Sequence, residues 1–327
     1  QVQAHDAFPK FLWKNDQKIY FNVDQLGAGD SLYIAGAQNF NTAIQDWDDP
    51  HGNVASHDVV VAEGLQFIED NANKPFFLYC AWTPPHAHNY PAATLAALTD
   101  ADGLVYDTRD LDQTLINEMY PGSPFGTSTT TPGFPDYETH TYASMLSVTD
   151  RDTGRIMDKL VELGIDDNTL VIFSSDNGES GDSAFFLTPE NLKPGFTDLR
   201  GEKKDTYEGG IRAPFIAWWP GKISPNSTSD VIGTFADLLP TLAEMAGITT
   251  PTQITGRSIL PFLTGGTESD LQPRDYHYWS FREFSNGLNR RWRAVRQGDW
   301  KVVRDRVNDG SGPTYELFNL STDPYET

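Results

Sequence analysis

The chain has 327 residues, of which 38% are hydrophobic and 12% aromatic, enough to fill a large core and too many for a disordered solvating chain. Its 24 basic residues stand against 46 acidic ones, and the net charge of -22 argues against nucleic acid as a partner; a small anionic substrate still fits wherever a pocket supplies local cations or a metal. A single cysteine, Cys80, excludes an intrachain disulfide framework and a multi-cysteine zinc site, and no apolar run reaches the roughly 18 residues of a membrane span.

Val61, Leu65 and Ile68 recur at helical spacing, and after Lys74-Pro75 the apolar run from Phe76 to Trp82 predicts a core strand buried on both faces. Pro121 to Pro135, rich in Gly, Ser, Thr and Pro, predicts an exposed loop. Tyr142, Met145, Ile156, Leu160 and Leu163 mark a long helical stretch stopped at Gly164, and Leu170 to Phe173 predicts a second buried strand. A third strand is expected between Ile211 and Trp219, and a helix from Phe235 to Ala246 ending at Gly247. Alternation of helices and buried strands predicts an α/β domain with a largely parallel central sheet flanked by helices. Beyond about Gly265 the pattern changes. Trp292 to Arg296 and Trp300 to Arg304 alternate around Gln297-Gly298-Asp299, a hairpin signal, and Tyr315 to Phe318 adds a short strand. The division expected is a domain over 1–268 and a small antiparallel subdomain over 269–327.

In open parallel sheets ligands bind beyond the carboxyl ends of strands. Ser174-Ser175-Asp176-Asn177-Gly178 follows one predicted strand and offers a carboxylate beside an amide oxygen, donors suited to a hard cation. Thr83-Pro84-Pro85-His86-Ala87-His88 follows another and offers imidazoles. Leu199 to Pro214 is a glycine-rich, charged approach to a third, with Lys203 and Lys204 as point charges for sulfate or phosphate oxygens. Each motif also has a structural explanation: Asn-Gly is a turn signal, and a histidine after Pro-Pro or a lysine in a glycine-rich loop is commonly a solvated group.

Taken together, Val171 to Gly178, Leu199 to Pro214 and Trp219-Pro220-Gly221-Lys222-Ile223 resemble, in order and spacing, the consecutive motifs of the sulfatases of the alkaline phosphatase superfamily. The similarity extends to Lys74–His86, to Leu239-Pro240-Thr241-Leu242 with Ala246-Gly247, and to Tyr315–Leu320 with Asp323-Pro324. The resemblance implies an alkaline phosphatase-like fold and cleavage of sulfate esters. It makes Asp176 and Asn177 ligands of a calcium ion, Lys203 a contact to the substrate sulfate, and His86 a sulfate contact that can protonate the leaving alcohol. Lys204 and His88 receive no role. A sulfated small molecule or sulfated glycan is the implied substrate, and a secreted, periplasmic or lysosomal location is implied with it.

Sulfatases of this type also carry a Cys/Ser-x-Pro/Ala-Ser-Arg motif, the precursor of formylglycine, together with paired N-terminal aspartates; neither occurs between Gln1 and Thr327. Cys80 sits within an apolar run and is expected to be a packing residue. The expectation is an N-terminally truncated sulfatase, inactive as an isolated fragment. Two alternatives stay open at this point: a non-catalytic homologue that binds sulfated glycans, and a phosphodiesterase or phosphonate hydrolase of the same superfamily. Asn177, an oxygen ligand where two-zinc relatives place a histidine, argues against the latter.

Overall fold

The computed structural model describes residues 11–15, 17–20, 56–86, 137–179, 199–285, 288–307 and 312–327. They fall into two compact units, one comprising residues 1–163 with 182–196 and the other 164–181 with 197–327.

In the first unit, β1 (Phe11–Lys14) and β2 (Gln17–Tyr20) form an antiparallel hairpin. Helix α1 (Ser56–Asn71) carries the predicted apolar spacing, with Val61 and Ile68 buried, and packs against α2 (Tyr137–Glu162), where Leu160 is buried. Gly64 opens the space between them: a Cβ there would lie 3.5 Å from the Cys80 sulfur and 3.8 Å from Ile156 Cδ1. Cys80 is thus a packing residue, and burial pushes its thiol pKa up.

At the other end of this contact His57 Nε2 donates to Asp152 at 2.8 Å, and Arg151 and Arg155 donate to the same carboxylate at 3.1 and 3.0 Å. Burial alone would raise the Asp152 pKa; hydrogen bonds from His57 and Arg151 outweigh it and bring the carboxyl down to about 2.

Residues 76–82 correct the sequence expectation. They make no strand ladder among the described residues, and Phe77 and Tyr79 are 70% and 79% exposed while Leu78 and Cys80 turn toward Gly64. An apolar run does not itself specify whether one face or both will be covered, and here one face rests on a helix. The region 121–135 and His88 lie outside the described residues.

In the second unit β3 (Val171–Ser174) pairs with β4 (Phe215–Trp218), in the register Val171 to Trp218 and Ser174 to Phe215. This pairing is antiparallel, so the largely parallel central sheet expected from the sequence is not what the described residues form. Apolar runs mark where strands are, whereas direction depends on the path of the connection between them. That connection passes through the short helix α3 (Glu208–Ile211) before turning into β4. Helix α4 (Leu238–Met245) ends as expected, with Ile248 N donating to Ala243 O at 2.8 Å across a Gly247 of positive φ.

Four antiparallel strands close the chain in the order β5 (His277–Ser285), β6 (Leu288–Gln297), β7 (Trp300–Val307) and β8 (Pro313–Asn319). Gln297 pairs with Trp300 around Gly298-Asp299, the hairpin legible in the sequence. One face buries Ala294, Val303 and Phe318, with Tyr207, Trp279 and Leu320 packed against them. Tyr207 belongs to the glycine-rich loop, so this sheet is the surface on which that loop is seated.

Candidate functional site

Strand β3 delivers the Asp176-Asn177-Gly178 turn, and its last residue fixes the turn against the entry to β4, because Ser174 Oγ donates to Pro214 O at 2.7 Å. Asp176 is exposed and Asn177 half-buried. The Asn177 amide nitrogen donates to Gly178 O at 2.7 Å, which commits its donor end to backbone and leaves the oxygen as the end suited to a cation.

The loop from Arg200 to Arg212 folds back on itself and onto this turn. Gly178 N donates to Gly210 O at 3.0 Å, Lys203 N to Glu179 O at 2.5 Å, and Gly209 N to Arg200 O at 2.7 Å. These contacts require glycine. A Cβ on Gly178 would overlap the Gly209 carbonyl, and one on Gly209 would lie 2.8 Å from the Arg200 and Leu199 oxygens and closer still to that of Gly201. Asp205 closes the inner turn by accepting from Glu202 N and Tyr207 N, both at 3.1 Å. Inside that turn Lys203 is half-buried, while Lys204 is exposed with φ of 89°. Two stretches about thirty residues apart in sequence are thereby joined, and Asp176, Asn177 and Lys203 occupy adjacent turns of one unit.

His86 stands in the first unit, after the Pro84-Pro85 peptide, with its backbone N bonded to Thr83 O at 3.0 Å.

Several charged groups around the loop were not singled out from sequence. Arg200 lies over the Tyr207 ring at 4.0 Å, donates to Glu316 Oε1 at 3.1 Å and reaches the Glu326 carbonyl at 2.8 Å. Tyr207 donates to Glu316, and burial together with that carboxylate pushes its hydroxyl pKa up. Lys301, fully buried on β7, lies 2.8 Å from both Glu208 and Glu326. Glu179, just after the Asp176-Asn177-Gly178 turn, is pushed up to about 7 by burial and then by the charge of Glu202. The signal that could have found Lys301 was its inward parity on β7, shared with Val303; alternation alone assigns apolar residues to that face.

A calcium site needs 6–8 oxygen ligands. Asp176 and Asn177 carry oxygen donors of the right kind and would account for two of them; among the described residues no three His, Cys, Asp or Glu side chains gather into a larger cluster.

The Sulfatase family profile matches residues 9–248, and that of the N-sulphoglucosamine sulphohydrolase C-terminal region matches 200–327. The N-acetylgalactosamine-6-sulfatase of Canis lupus familiaris is 30% identical over 295 residues, covering 82% of this chain and 47% of its own length. Arylsulfatase K of Rattus norvegicus is 28% identical over 273 residues, 78% of this chain and 46% of its own length. The chain spans about half the length of these curated relatives. Among solved structures, Ps i-CgsB in complex with k-i-k-neocarrahexaose superposes with a TM-score of 0.59 at 23% identity, over 85% of this chain and 51% of that one. A second, solved in complex with its substrate D-glucosamine-2-N,6-O-disulfate, superposes at 0.57 and 19% identity, over 84% of this chain and 65% of that one. At these identities the likeness bears on fold, which is the alkaline phosphatase-like fold of those proteins. With a family match over most of its length, the chain belongs to the sulfatase family.

Proposed function

We propose that this chain carries one wall of a sulfate-ester hydrolase site, in which Asp176 and Asn177 hold a calcium ion and Lys203 binds the sulfate. The observation that carries this reading is the pair of backbone bonds, Gly178 to Gly210 and Lys203 to Glu179, that seats a hard-oxygen donor pair beside a lysine-bearing loop. Calcium, when bound, supplies positive charge to the sulfuryl oxygens as the S–O bond breaks. Lys203 adds a compact cation to the same anion, and because its backbone is pinned to Glu179 little reorganisation is needed when charge develops. For His86, which stands in the first unit, the family motif alone supports the role of proton donor to the departing alcohol oxygen. The formylglycine nucleophile of this family has no matching motif among these 327 residues, and on this reading no turnover is expected from this chain by itself.

The substrate class proposed is a sulfated small molecule or sulfated glycan, in line with the names of the relatives and with the sulfated sugar held by one structural neighbour. A secreted, periplasmic or lysosomal location goes with this class of enzyme; among the described residues no helix is long and apolar enough to cross a membrane.

Titration of the chain with inorganic sulfate in the presence of calcium, followed by amide chemical shifts, tests the site. Weak binding, on the order of millimolar, should move the amides of Asn177 and Lys203 and vanish in Lys203→Ala. Sulfate binding that is unchanged in Lys203→Ala would remove the assignment.

A further inference from the structure

We propose that Lys301 is a positioning residue for the sulfate site: from the C-terminal sheet it holds Glu208 and Glu326 together and so sets the loop that carries Lys203. The inference rests on the reading of Asp176, Asn177 and Lys203 as the anion and metal site.

Lys301 is the second residue of β7, paired to Arg296 on one side and Phe318 on the other. Its ammonium is 2.8 Å from one oxygen of each carboxylate, and Lys301, Glu208 and Glu326 are 0%, 3% and 0% exposed. The second Glu326 oxygen accepts from Glu208 N at 2.6 Å, and Arg296 approaches the second Glu208 oxygen at 3.6 Å. Two cations face two anions, so the cluster is balanced only while Lys301 is present. Glu326 adopts a left-handed φ of 54° to reach this position, a conformation that persists for a non-glycine residue where its surroundings fix it.

What the cluster holds is the first residue of α3. Gly209 and Gly210 follow immediately, and their backbones bond to Arg200 and to Gly178. A displacement of Glu208 is therefore passed directly to both stretches that present Lys203 and Asp176. The glycine contacts leave no slack to absorb it, since any closer approach brings backbone into backbone. A buried lysine is costly unless it is paired, and the Lys301 ammonium is paired with both Glu208 at the start of α3 and Glu326.

The test is amide hydrogen exchange and sulfate titration on the whole chain carrying Lys301→Met in a Glu326→Gln background, which leaves one buried carboxylate facing Arg296 and so keeps the protein folded. Glu326→Gln alone is the reference. Expected is a loss of protection of about tenfold or more at the amides of Gly178, Lys203 and Gly209, with Ala246 and Ile248 at the end of α4 unchanged within about twofold. The sulfate-induced shift of the Lys203 amide, which a merely stabilising residue would not move, should fall with it. Unchanged protection at the three loop amides, or equal loss at the α4 amides, overturns the inference. Failure of the site reading looks different: Lys203→Ala would then leave sulfate binding intact while the exchange pattern of the Lys301 variant stayed as predicted.

Discussion

Gly178 donates its backbone N–H to the carbonyl of Gly210 at 3.0 Å, and no room is left between the two chains for a side chain at position 178. Gly178→Ala should therefore push the Asp176-Asn177 turn off the loop. Overpacking of this kind costs about 1–3 kcal/mol, and we expect a loss near the upper end because the clashing atoms are backbone. Urea unfolding measures it, and a variant as stable as the parent would contradict the close approach.

Lys203 and Lys204 are neighbours with opposite expectations. In a protein that joins this chain to the full length of its relatives, Lys203→Ala should lower kcat/KM for an aryl sulfate by about 100-fold, the scale of losing one charge-stabilising donor. Lys204→Ala, at an exposed position on the outside of the turn, should change it by less than about threefold. Equal losses would mean that the loop presents the other lysine to the anion.

His277 gives a pH dependence with a definite sign. Burial, then the charges of Arg274 and Arg257, push its imidazole down to about 4, whereas in the unfolded chain it titrates at about 6.5. Between those values the unfolded state binds more protons, so this group makes the protein more stable as pH rises from about 4 to 6.5 and less stable as pH falls. Glu179, raised to about 7, acts in the opposite direction over an overlapping range. The clean measurement is thus the difference between the parent and His277→Asn. That difference should increase with pH across the window, and a flat difference would contradict a neutral, half-buried imidazole.

In the first unit Asp152 collects His57, Arg151 and Arg155 on one fully buried carboxylate. Asp152→Ala leaves the His57 nitrogen without its acceptor in a buried site and should cost about 3 kcal/mol. Asp152→Asn, which keeps one carbonyl acceptor, should cost less. If denaturant midpoints place both variants within about 0.5 kcal/mol of the parent, the cluster does not hold α1 to α2.

Much of this was legible from particular residues. Val61 and Ile68 announce α1, Gly164 and Gly247 stop their helices with positive φ, and Gln297-Gly298-Asp299 fixes the β6–β7 hairpin. The Asp-Asn-Gly turn and the glycine-rich loop, which the structure joins by backbone bonds, were legible as ordered motifs because each is a run of consecutive residues. What escaped was whatever depends on pairs distant in sequence. The antiparallel direction of β3 and β4 depends on a connection of forty residues, from Ser174 to Phe215, that apolar periodicity does not describe. The exposed outer face of Phe77 and Tyr79 is invisible in a run that is apolar throughout. Lys301 reads as a solvated strand residue until Glu208 and Glu326, 93 residues before it and near the end of the chain, are brought to its ammonium.

The most direct measurement is paired turnover of an aryl sulfate and an aryl phosphate by a protein of the relatives' full length containing this chain, with and without Asp176→Ala. Sulfate release that needs calcium, exceeds phosphate release and falls by about 1,000-fold or more in the variant is the predicted result. Preferential phosphate release, or sulfate release that survives loss of the Asp176 carboxylate, would contradict it.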